Sequence, residues 1–302
     1  MQNPEIVVFG SEGFIGRRLI DILEIEKRSF SGYDVHGESK GNSIRGKFFG
    51  SDTEIEEIIS RQPKVVINCA GSASVPKSFE DPMNDFMMNT HLIIRLLNSI
   101  HLKSPNTYFI NLSSAAIYGQ PEHLPITEDS VVNPLSPYGY NKWISEILCL
   151  EYKKFFHVKS CSLRVFSSFG PGLKKQLFWD LYLKSLESKD GKVELFGTGS
   201  ETRDFIYVDD LVRAILRVAD ARPDYDVINV GSGMETSISE AATIFFNEVG
   251  GVEAVFSGLE KTGDPKKWRA DISRLSSIGF KPEFSFIEGI TNYVKWLKSS
   301  EN

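Results

Sequence analysis

A tyrosine and a lysine four residues apart are the first candidates for chemistry. Tyr138 and Lys142 lie in the segment SPYGYNKWISE (136–146), and of the ten tyrosines only Tyr138 has a lysine four residues further on. Ser136 followed by Pro137 predicts the start of a helix, with the serine as N-cap and the proline in the first turn. On that helix, Tyr138 and Lys142 share one face.

Two serines and two alanines follow an apolar run in the segment NLSSAAIYG (111–119). Ser113 and Ser114 end the predicted strand, so their hydroxyl groups can be directed at a ligand. Ala115 and Ala116 carry only methyl groups. Elimination of water needs a base for the proton and an acid for the leaving hydroxyl. A methyl group can serve as neither.

A strand, a glycine-rich loop and a helix are predicted in the segment IVVFGSEGFIGRRL (6–19). The first glycine allows a tight turn, the second lets backbone N–H groups approach a pyrophosphate, and the third permits close packing of helix and strand. The helix N-terminus favours the anion. This context indicates a dinucleotide site, whose candidate contacts here are Gly10, Gly13, Phe14, Ile15 and Gly16.

An acidic residue ends the second predicted strand. Asp34 lies 18 residues after Gly16, which matches the usual offset of the acid that hydrogen-bonds the adenosine ribose. Because a carboxylate would repel a 2′-phosphate, NAD is favoured over NADP. His36 and Lys40 nearby keep NADP open.

With such a cofactor, the tyrosine and lysine predict hydride transfer coupled to proton transfer. A phenol has a pKa of about 10. A nearby ammonium and the positive nicotinamide ring favour the phenolate. Tyr138 can then take a proton from a substrate hydroxyl as hydride leaves the same carbon, and return it in the reverse step. Ser114 is expected to hydrogen-bond the same oxygen, and Lys142 to hold the nicotinamide ribose as well.

The elements that must position these residues alternate between strands and helices. This alternation predicts an α/β fold, a doubly wound parallel sheet of the Rossmann type. The predicted strands are 5–10, 29–34, 46–50, 64–70, 107–113 and 159–166, and the predicted helices are 14–26, 53–61, 83–103 and 137–156.

A smaller mixed α/β region is predicted beyond the break Gly170-Pro171-Gly172. We expect a dinucleotide-binding domain over 1–166 and a substrate-binding region over 167–302, with about 204–230 returning to the first domain. The elements predicted in this region are helices 175–188, 209–220, 236–248 and 286–298 and strands 193–196, 204–208 and 226–230.

Composition excludes several other classes of function. The net charge is −6 without a basic cluster, which argues against a nucleic-acid partner. No apolar run approaches the ~20 residues of a membrane helix, and no signal peptide is recognised. The five histidines show no metal-ligand spacing. The cysteines form no CxxC pair, which favours reduced thiols in a cytoplasmic protein; they are Cys69, Cys149 and Cys161.

Taken together, these motifs resemble the extended short-chain dehydrogenase/reductase family of the NAD-dependent epimerase/dehydratase type. The resemblance is to its nucleotide-sugar epimerases, dehydratases and ketoreductases, and it covers nearly the whole chain. Besides the motifs above, it rests on NCAGSAS (68–74), LRVFSSFGPG (163–172), GTGSETRDFIYVDDLV (197–212), INVGSG (228–233) and GDPKKWRAD (263–271).

The resemblance implies roles for residues at matching positions. Ala70, Gly71 and Asn89 would lie beside the cofactor, together with Tyr138 and Lys142. Ser114, Tyr138 and Lys142 would be the catalytic residues. Ala115 and Ala116 stand where related dehydratases carry an acid pair. A homodimer through helices 83–103 and 137–156 is also expected.

For a nucleotide-diphosphate sugar substrate, the resemblance implies a second set of contacts. Arg203 matches an arginine that grips the diphosphate, although a surface ion pair with Asp209 or Asp210 is an alternative. Ser167 stands where epimerases often carry an asparagine, and a second phosphate-binding arginine is expected near Lys261 or at Arg269. The candidate substrate contacts are Ser113, Ser167, Gln176, Phe196, Arg203 and Arg269.

Three functions remain open from the sequence. The leading one is a nucleotide-sugar 4-epimerase, which oxidises C4, turns the ketosugar over and returns hydride to the other face. The alternative is a reductase of nucleotide-linked 4-keto-6-deoxysugars, which uses the same serine, tyrosine and lysine. A dinucleotide-binding sensor without turnover is a remote third, because such proteins often lose the tyrosine or the lysine.

Overall fold

The computed structural model describes residues 4–35, 44–47, 50–188, 190–259 and 266–300. Within them, the chain forms two compact units. The first comprises residues 1–119, 132–165 and 212–228, and the second comprises 120–131, 166–211 and 229–302.

A seven-stranded sheet is the central element of the fold. Its strands run in the order β11-β6-β5-β4-β1-β2-β3, and the five neighbouring pairs from β6 to β3 are all parallel. The strand order reverses between β1 and β4, where doubly wound folds bind ligands at the carboxyl ends of the strands. The strands are β1 (Ile6–Phe9), β2 (Phe30–Asp34), β3 (Ile44–Lys47), β4 (Val65–Asn68), β5 (Tyr108–Ser114), β6 (Ser160–Val165) and β11 (Val227–Val230).

Helices of the first unit pack against this sheet. Every residue of β1 and β4 is buried, as expected for strands covered on both faces. Val7, Val66 and Phe109 of the sheet share one apolar cluster with Ile55 and Leu96 of the helices. The helices are α1 (Phe14–Ile25), α2 (Asp52–Ile59), α3 (Val75–Glu80), α4 (Pro82–Phe86), α5 (Leu92–Lys103) and α6 (Pro137–Phe156).

The predicted single helix over 83–103 is wrong in detail. Helix α4 begins at Pro82, where the Asp81 carboxylate accepts the Asn84 N–H at 3.0 Å. A π-helical turn over Met87–His91 then separates α4 from α5. Such turns are rare and frequently occur at functional sites. Helix α3 was not predicted, and the other predicted helices of this unit begin and end within two residues of the observed ones.

Short strand pairs and helices build the second unit. The strand pairs are β7 with β10, β8 with β13, and β9 with β12. Four predicted helices are observed, but β7, β9, β12, β13 and α10 were not predicted. The elements are β7 (Ser167–Phe169), α7 (Gln176–Glu187), β8 (Lys192–Leu195), β9 (Thr202–Arg203), β10 (Phe205–Tyr207), β12 (Thr236–Ser237), α9 (Ile238–Val249), β13 (Glu253–Phe256), α10 (Ser273–Ser277) and α11 (Phe286–Ser299). Helix α8 (Val208–Ala221) begins in the second unit, and its residues from 212 onward belong to the first.

Aromatic side chains dominate the core of the second unit. The Phe169 and Phe178 rings lie 5.2 Å apart between centroids, and Phe205 stacks on Phe286 at 5.4 Å. Such pairs stabilise a core beyond the area they bury. This core joins β7 and β10 to α7 and α11. None of the described helices is long and apolar enough to cross a membrane.

Candidate active site

Backbone atoms pack tightly against the glycines of the loop between β1 and α1. A Cβ on Gly10, whose φ is +79°, would lie 2.4 Å from the Ala70 nitrogen, and a Cβ on Gly16 would lie 1.9 Å from the Gly10 oxygen. No other residue fits at either position. Helix α1 begins at Phe14 with Gly13 as its N-cap, and no side chain caps it. Its first N–H groups therefore have no side-chain acceptor and can bind an anion.

Asp34 faces this loop from the end of β2. Its Oδ2 accepts the Glu12 backbone N–H at 3.0 Å. The carboxylate is only partly buried, so it can also receive the hydroxyl groups of a ribose. His36 and Lys40, which kept NADP open, lie outside the described residues.

Gly71, Asn89 and Lys142 meet next to the end of β4. A Cβ on Gly71 would lie 2.6 Å from Asn89 Oδ1 and 3.5 Å from Lys142 Nζ. Asn89 is 1% exposed, and its Oδ1 has no hydrogen-bond partner in the described part of the chain. A buried amide oxygen without a donor is costly. The glycine cradle, the carboxylate of Asp34 and this oxygen fit a dinucleotide cofactor.

Ser114, Tyr138 and Lys142 are brought together by β5 and α6. Ser136 caps α6 by accepting the Gly139 N–H at 3.1 Å, with Pro137 as the first helical residue, as predicted. The Ser114 hydroxyl lies close enough to Tyr138 to lower the pKa of the phenol. Lys142 Nζ donates to the Leu112 carbonyl at 2.8 Å, and it lies 5.9 Å from the centre of the Tyr138 ring.

Burial dominates the electrostatics of this pair. It raises the pKa of Tyr138, against the lowering effect of the hydrogen bond with Ser114. It also lowers the pKa of Lys142 to about 8, although the charges of Asp85, Cys69 and Glu146 oppose it. Without the positive ring of the cofactor, burial therefore favours the phenol of Tyr138.

The second unit brings Ser167, Arg203 and Arg269 close to Asp204. The Ser167 N–H donates to the Asp204 carbonyl at 3.0 Å. The buried Asp204 carboxylate accepts the N–H groups of Ser232, Gly233 and Ala270, the last being the residue after Arg269. Burial nevertheless raises the pKa of Asp204.

Both arginines have features of an anion site. The Arg203 guanidinium lies 5.7 Å from the centre of the Trp268 ring, and its Nη1 donates to the Thr202 carbonyl at 2.8 Å. Arg269 Nε is buried and has no hydrogen-bond partner among the described residues. Asp210, considered as a partner for Arg203, accepts N–H groups from residues 283 and 284. Lys261 lies outside the described residues.

The remaining candidate substrate contacts stand on other segments. Gln176 is the first residue of α7, exposed, with a φ of +67° that is uncommon for a residue with a side chain. Phe196 follows β8 and is 55% exposed. In the first unit, Ser113 is buried, and its Oγ has no hydrogen-bond partner among the described residues.

The sequence model of the NAD dependent epimerase/dehydratase family matches residues 6–231. The chain belongs to this family. The predicted recognition, the Rossmann-type fold, the NAD cofactor and the enzyme class are thereby confirmed.

Known proteins are similar to this family member along its whole length. A putative UDP-glucose 4-epimerase of Methanocaldococcus jannaschii is 29% identical, over 98% of this chain and 99% of that protein. The structure of a UDP-N-acetylglucosamine 4-epimerase from Methanobrevibacter ruminantium, in complex with UDP-N-acetylmuramic acid, has a TM-score of 0.88, 28% identity and coverage of 99% and 100%. A UDP-glucuronic acid 4-epimerase from Bacillus cereus, in complex with UDP-glucuronic acid and NAD, has a TM-score of 0.86, 26% identity and coverage of 98% and 99%.

Beside the catalytic candidates of this family member, sequence reasoning missed a buried ion pair. Arg164 Nη2 of β6 donates to Glu146 Oε2 of α6 at 2.8 Å, and Arg164 Nη1 donates to the Tyr118 hydroxyl at 2.8 Å. A signal was available, because Glu146 lies four residues after Lys142 and Arg164 interrupts an apolar strand. Buried charges of this kind occur in pairs.

A second missed residue is Asp85, whose side chain is buried beside Asn89. Its position four residues before Asn89 is the only sequence signal that pointed to it. The turn that follows Ser114 begins with two alanines and not with an acid. Ala115 is fully buried, and Ala116 follows it in a short 3₁₀ turn, where Ser114 Oγ accepts the Ala116 N–H at 3.2 Å.

Proposed function

We propose that the protein is an NAD-dependent 4-epimerase of a UDP-linked hexose. The observation that carries the proposal is the contact of Tyr138 with Ser114. Lys142 lies beside this contact, next to the place where Gly71 approaches Asn89. Support comes from the 4-epimerases that the chain resembles along its whole length.

Tyr138 exchanges the proton of the C4 hydroxyl in this proposal. Bound NAD supplies the acceptor and donor of the C4 hydride, and its positive ring favours the Tyr138 phenolate. The phenolate takes the hydroxyl proton during oxidation and the phenol gives it back during reduction. Ser114 hydrogen-bonds the same oxygen and orients it. Lys142 adds positive charge and donates hydrogen bonds to the nicotinamide ribose.

Dehydration is disfavoured by the side chains that follow Ser114. Loss of water across C5 and C6 needs an acid and a base at the sugar. Ala115 and Ala116 supply neither. Asp85 and Glu146, the acids whose charges act on Lys142, are both engaged by hydrogen-bond donors.

Substrate binding is assigned to the second unit. Arg203 and Arg269 hold the diphosphate, because a guanidinium makes paired hydrogen bonds with phosphate oxygens. Phe196 packs on the nucleotide base, and Gln176 contacts the base or the diphosphate. Ser167 is the candidate sugar contact of this unit, and Ser113 is the candidate contributed by the first unit. Arg269 Nε, buried without an acceptor in the described chain, supports this assignment.

The function is tested by incubating the purified protein with UDP-glucose, UDP-N-acetylglucosamine and UDP-glucuronic acid, and with their C4 epimers. We expect proton NMR to show the same final mixture from both epimers of one pair, without net consumption of NADH. Denatured protein should release NAD. The matched dTDP-, GDP- and CDP-sugars serve as controls for the base.

Two outcomes would contradict the proposal. Stoichiometric oxidation of NADH or NADPH with a 4-keto-6-deoxysugar nucleotide, without interconversion of epimers, would identify a reductase. Binding of NAD with no turnover of any nucleotide sugar would point to a sensor.

We further propose that the protein forms a homodimer through the outer faces of α5 and α6. Tyr140, Ile147 and Leu150 of α6 are 42–47% exposed. Tyr140 and Ile147 lie nearly opposite Tyr138 and Lys142 on the helix, and Leu150 lies about 100° from them; Tyr138 and Lys142 are buried. Ile94 and Leu102 of α5 are exposed as well. Apolar side chains grouped on neighbouring helices fit a subunit interface.

A further inference from the structure

Asp85 is a buried carboxylate that the proposed chemistry does not use. It lies in α4, is 2% exposed, and uses both oxygens as acceptors. Asn89 Nδ2 donates to its Oδ1 at 3.0 Å, and Asn141 Nδ2 donates to its Oδ2 at 2.7 Å. One acidic side chain thus joins the π-helical turn, which carries Asn89, to helix α6, which carries the catalytic pair.

This contact decides which way the Asn89 amide faces. A carboxylate accepts hydrogen bonds and donates none, so the amide nitrogen of Asn89 must face Asp85. The amide oxygen then faces the opposite side, next to Gly71 and Lys142. That oxygen is buried and lacks a donor among the described residues. The arrangement leaves one buried acceptor ready beside Lys142.

We propose that Asp85 is a positioning residue for NAD binding: it fixes Asn89 so that Oδ1 accepts a hydrogen bond from a hydroxyl group of the bound cofactor. The inference rests on the proposed NAD site at Gly71, Asn89 and Lys142. Without Asp85, the amide can turn and present its NH₂ group to the Lys142 ammonium, where donor faces donor.

The charge of Asp85 supports the same role. It raises the pKa of Lys142 and so opposes the lowering caused by burial. Asp85 therefore keeps the ammonium form of Lys142, which donates hydrogen bonds. An acceptor at Asn89 and a donor at Lys142 suit a ribose hydroxyl, which both donates and accepts.

The first test replaces Asp85 by leucine, which has a similar shape and no acceptor. We expect Asp85→Leu to raise the Kd of NAD for cofactor-stripped protein by about tenfold, the effect of one lost buried hydrogen bond. Isothermal titration calorimetry gives the Kd. The matched control is Thr107→Val, which removes buried hydrogen bonds to Pro63 and Ser104 at the other end of β5. It should lower the Tm and leave the Kd unchanged.

The second test exchanges the two side chains in the double variant Asp85→Asn, Asn89→Asp. The new amide donates to the new carboxylate, whose second oxygen still faces Gly71 as an acceptor. We expect a Kd close to that of the wild type. This variant decides the matter if Asp85→Leu does not fold.

Either of two results would overturn the inference. One is a wild-type Kd for Asp85→Leu, and the other is a Kd for the exchanged variant raised tenfold at an unchanged Tm. Wild-type protein that binds no NAD would instead contradict the proposed function, so the two failures are distinguishable.

Discussion

Tyr138 is the residue on which the proposed proton transfer depends. Replacement by phenylalanine removes the hydroxyl that contacts Ser114 and leaves the ring in place. We expect Tyr138→Phe to lower kcat by about 10²- to 10⁴-fold, because a positioned acid–base group contributes that much. NAD should remain bound, since the glycine loop is unchanged. NMR rates of epimerisation and the NAD released on denaturation measure the two effects.

Tyr140 provides the matched control for this experiment. It lies two residues further along α6, and its side chain is 47% exposed. Tyr140→Phe should retain the wild-type kcat. A Tyr138→Phe protein with full turnover would remove Tyr138 from the mechanism.

Lys142 predicts a pH dependence of stability. Burial lowers the pKa of its side chain to about 8. Above that pH the folded chain has lost the proton while the unfolded chain keeps it, so unfolding takes up a proton and becomes less favourable as pH rises. Below about pH 8 both states are charged, and the folded state bears the cost of burying the ammonium.

The variant Lys142→Met isolates this contribution. From pH 7 to about pH 10, the wild type should gain roughly 3 kcal/mol of unfolding free energy relative to the variant. Urea denaturation of both proteins across this range measures the difference. The variant also loses the bond to Leu112, but that loss is independent of pH. A constant difference would mean that Lys142 titrates normally.

At the scale of elements, α6 must be held against β5 and β6 for Ser114 and Tyr138 to meet. The buried pair of Glu146 and Arg164 joins α6 to β6, and Arg164 also donates to Tyr118 in the turn after Ser114. The Glu146 carboxylate binds the guanidinium at Nε as well as Nη2. Through β6, this pair therefore links α6, which carries Tyr138, to the turn that follows Ser114.

Loss of one partner from this pair should be more harmful than loss of both. Arg164→Met leaves a buried carboxylate without its cation, which costs about 3–5 kcal/mol of unfolding free energy. The double variant Arg164→Met, Glu146→Leu should recover most of that loss, because no buried charge remains. Urea denaturation measures both variants. A double variant as unstable as the sum of the single variants would contradict the prediction.

Elements with local signals were predictable from the sequence. Ser136 and Pro137 marked the start of α6, and the glycine loop marked the junction of β1 and α1. The break between α4 and α5 was not predictable, because the π-helical turn MMNTH contains no glycine or proline that would mark an interruption. Short strands such as β7 and β9 form only where tertiary pairing stabilises them, and their sequences carry too few residues for a period.

The residues of the candidate site also differ in whether the sequence could predict them. The residues proposed to carry the chemistry stand in motifs, so Ser114, Tyr138 and Lys142 could be named as candidates without coordinates. Asp85 and Arg164 act through partners distant in sequence, Asn141 at 56 positions and Glu146 at 18. No spacing rule specifies such contacts, which depend on how helices pack on the sheet.

For the whole molecule, we propose that separate parts of the chain bind the cofactor and the substrate. The reversal of strand order between β1 and β4 creates the crevice where doubly wound sheets bind dinucleotides. Arg203 and Arg269 belong to the second unit, as do Gln176 and Phe196. A substrate with a nucleotide, a diphosphate and a sugar suits such a division. The predicted boundary at 166 and 167 remains a proposal.

The proposed homodimer can be tested by mutating exposed apolar residues of α6. Glutamate at both Ile147 and Leu150 should produce a monomer, because charged side chains at a closed interface lose their water without gaining partners. These positions face away from Tyr138 and Lys142 on α6, so the NAD content should persist. Light scattering after size-exclusion chromatography gives the mass.

The control for this experiment is Leu186→Glu. Leu186 is 56% exposed on α7, which belongs to the second unit, outside the proposed interface. Since this variant adds a glutamate at another exposed leucine, it separates the effect of the interface from that of an added charge. The proposal requires this variant to stay dimeric while the α6 variant dissociates. A wild-type mass of one chain, or dissociation of both variants alike, would rule out the faces of α5 and α6 as the specific contact.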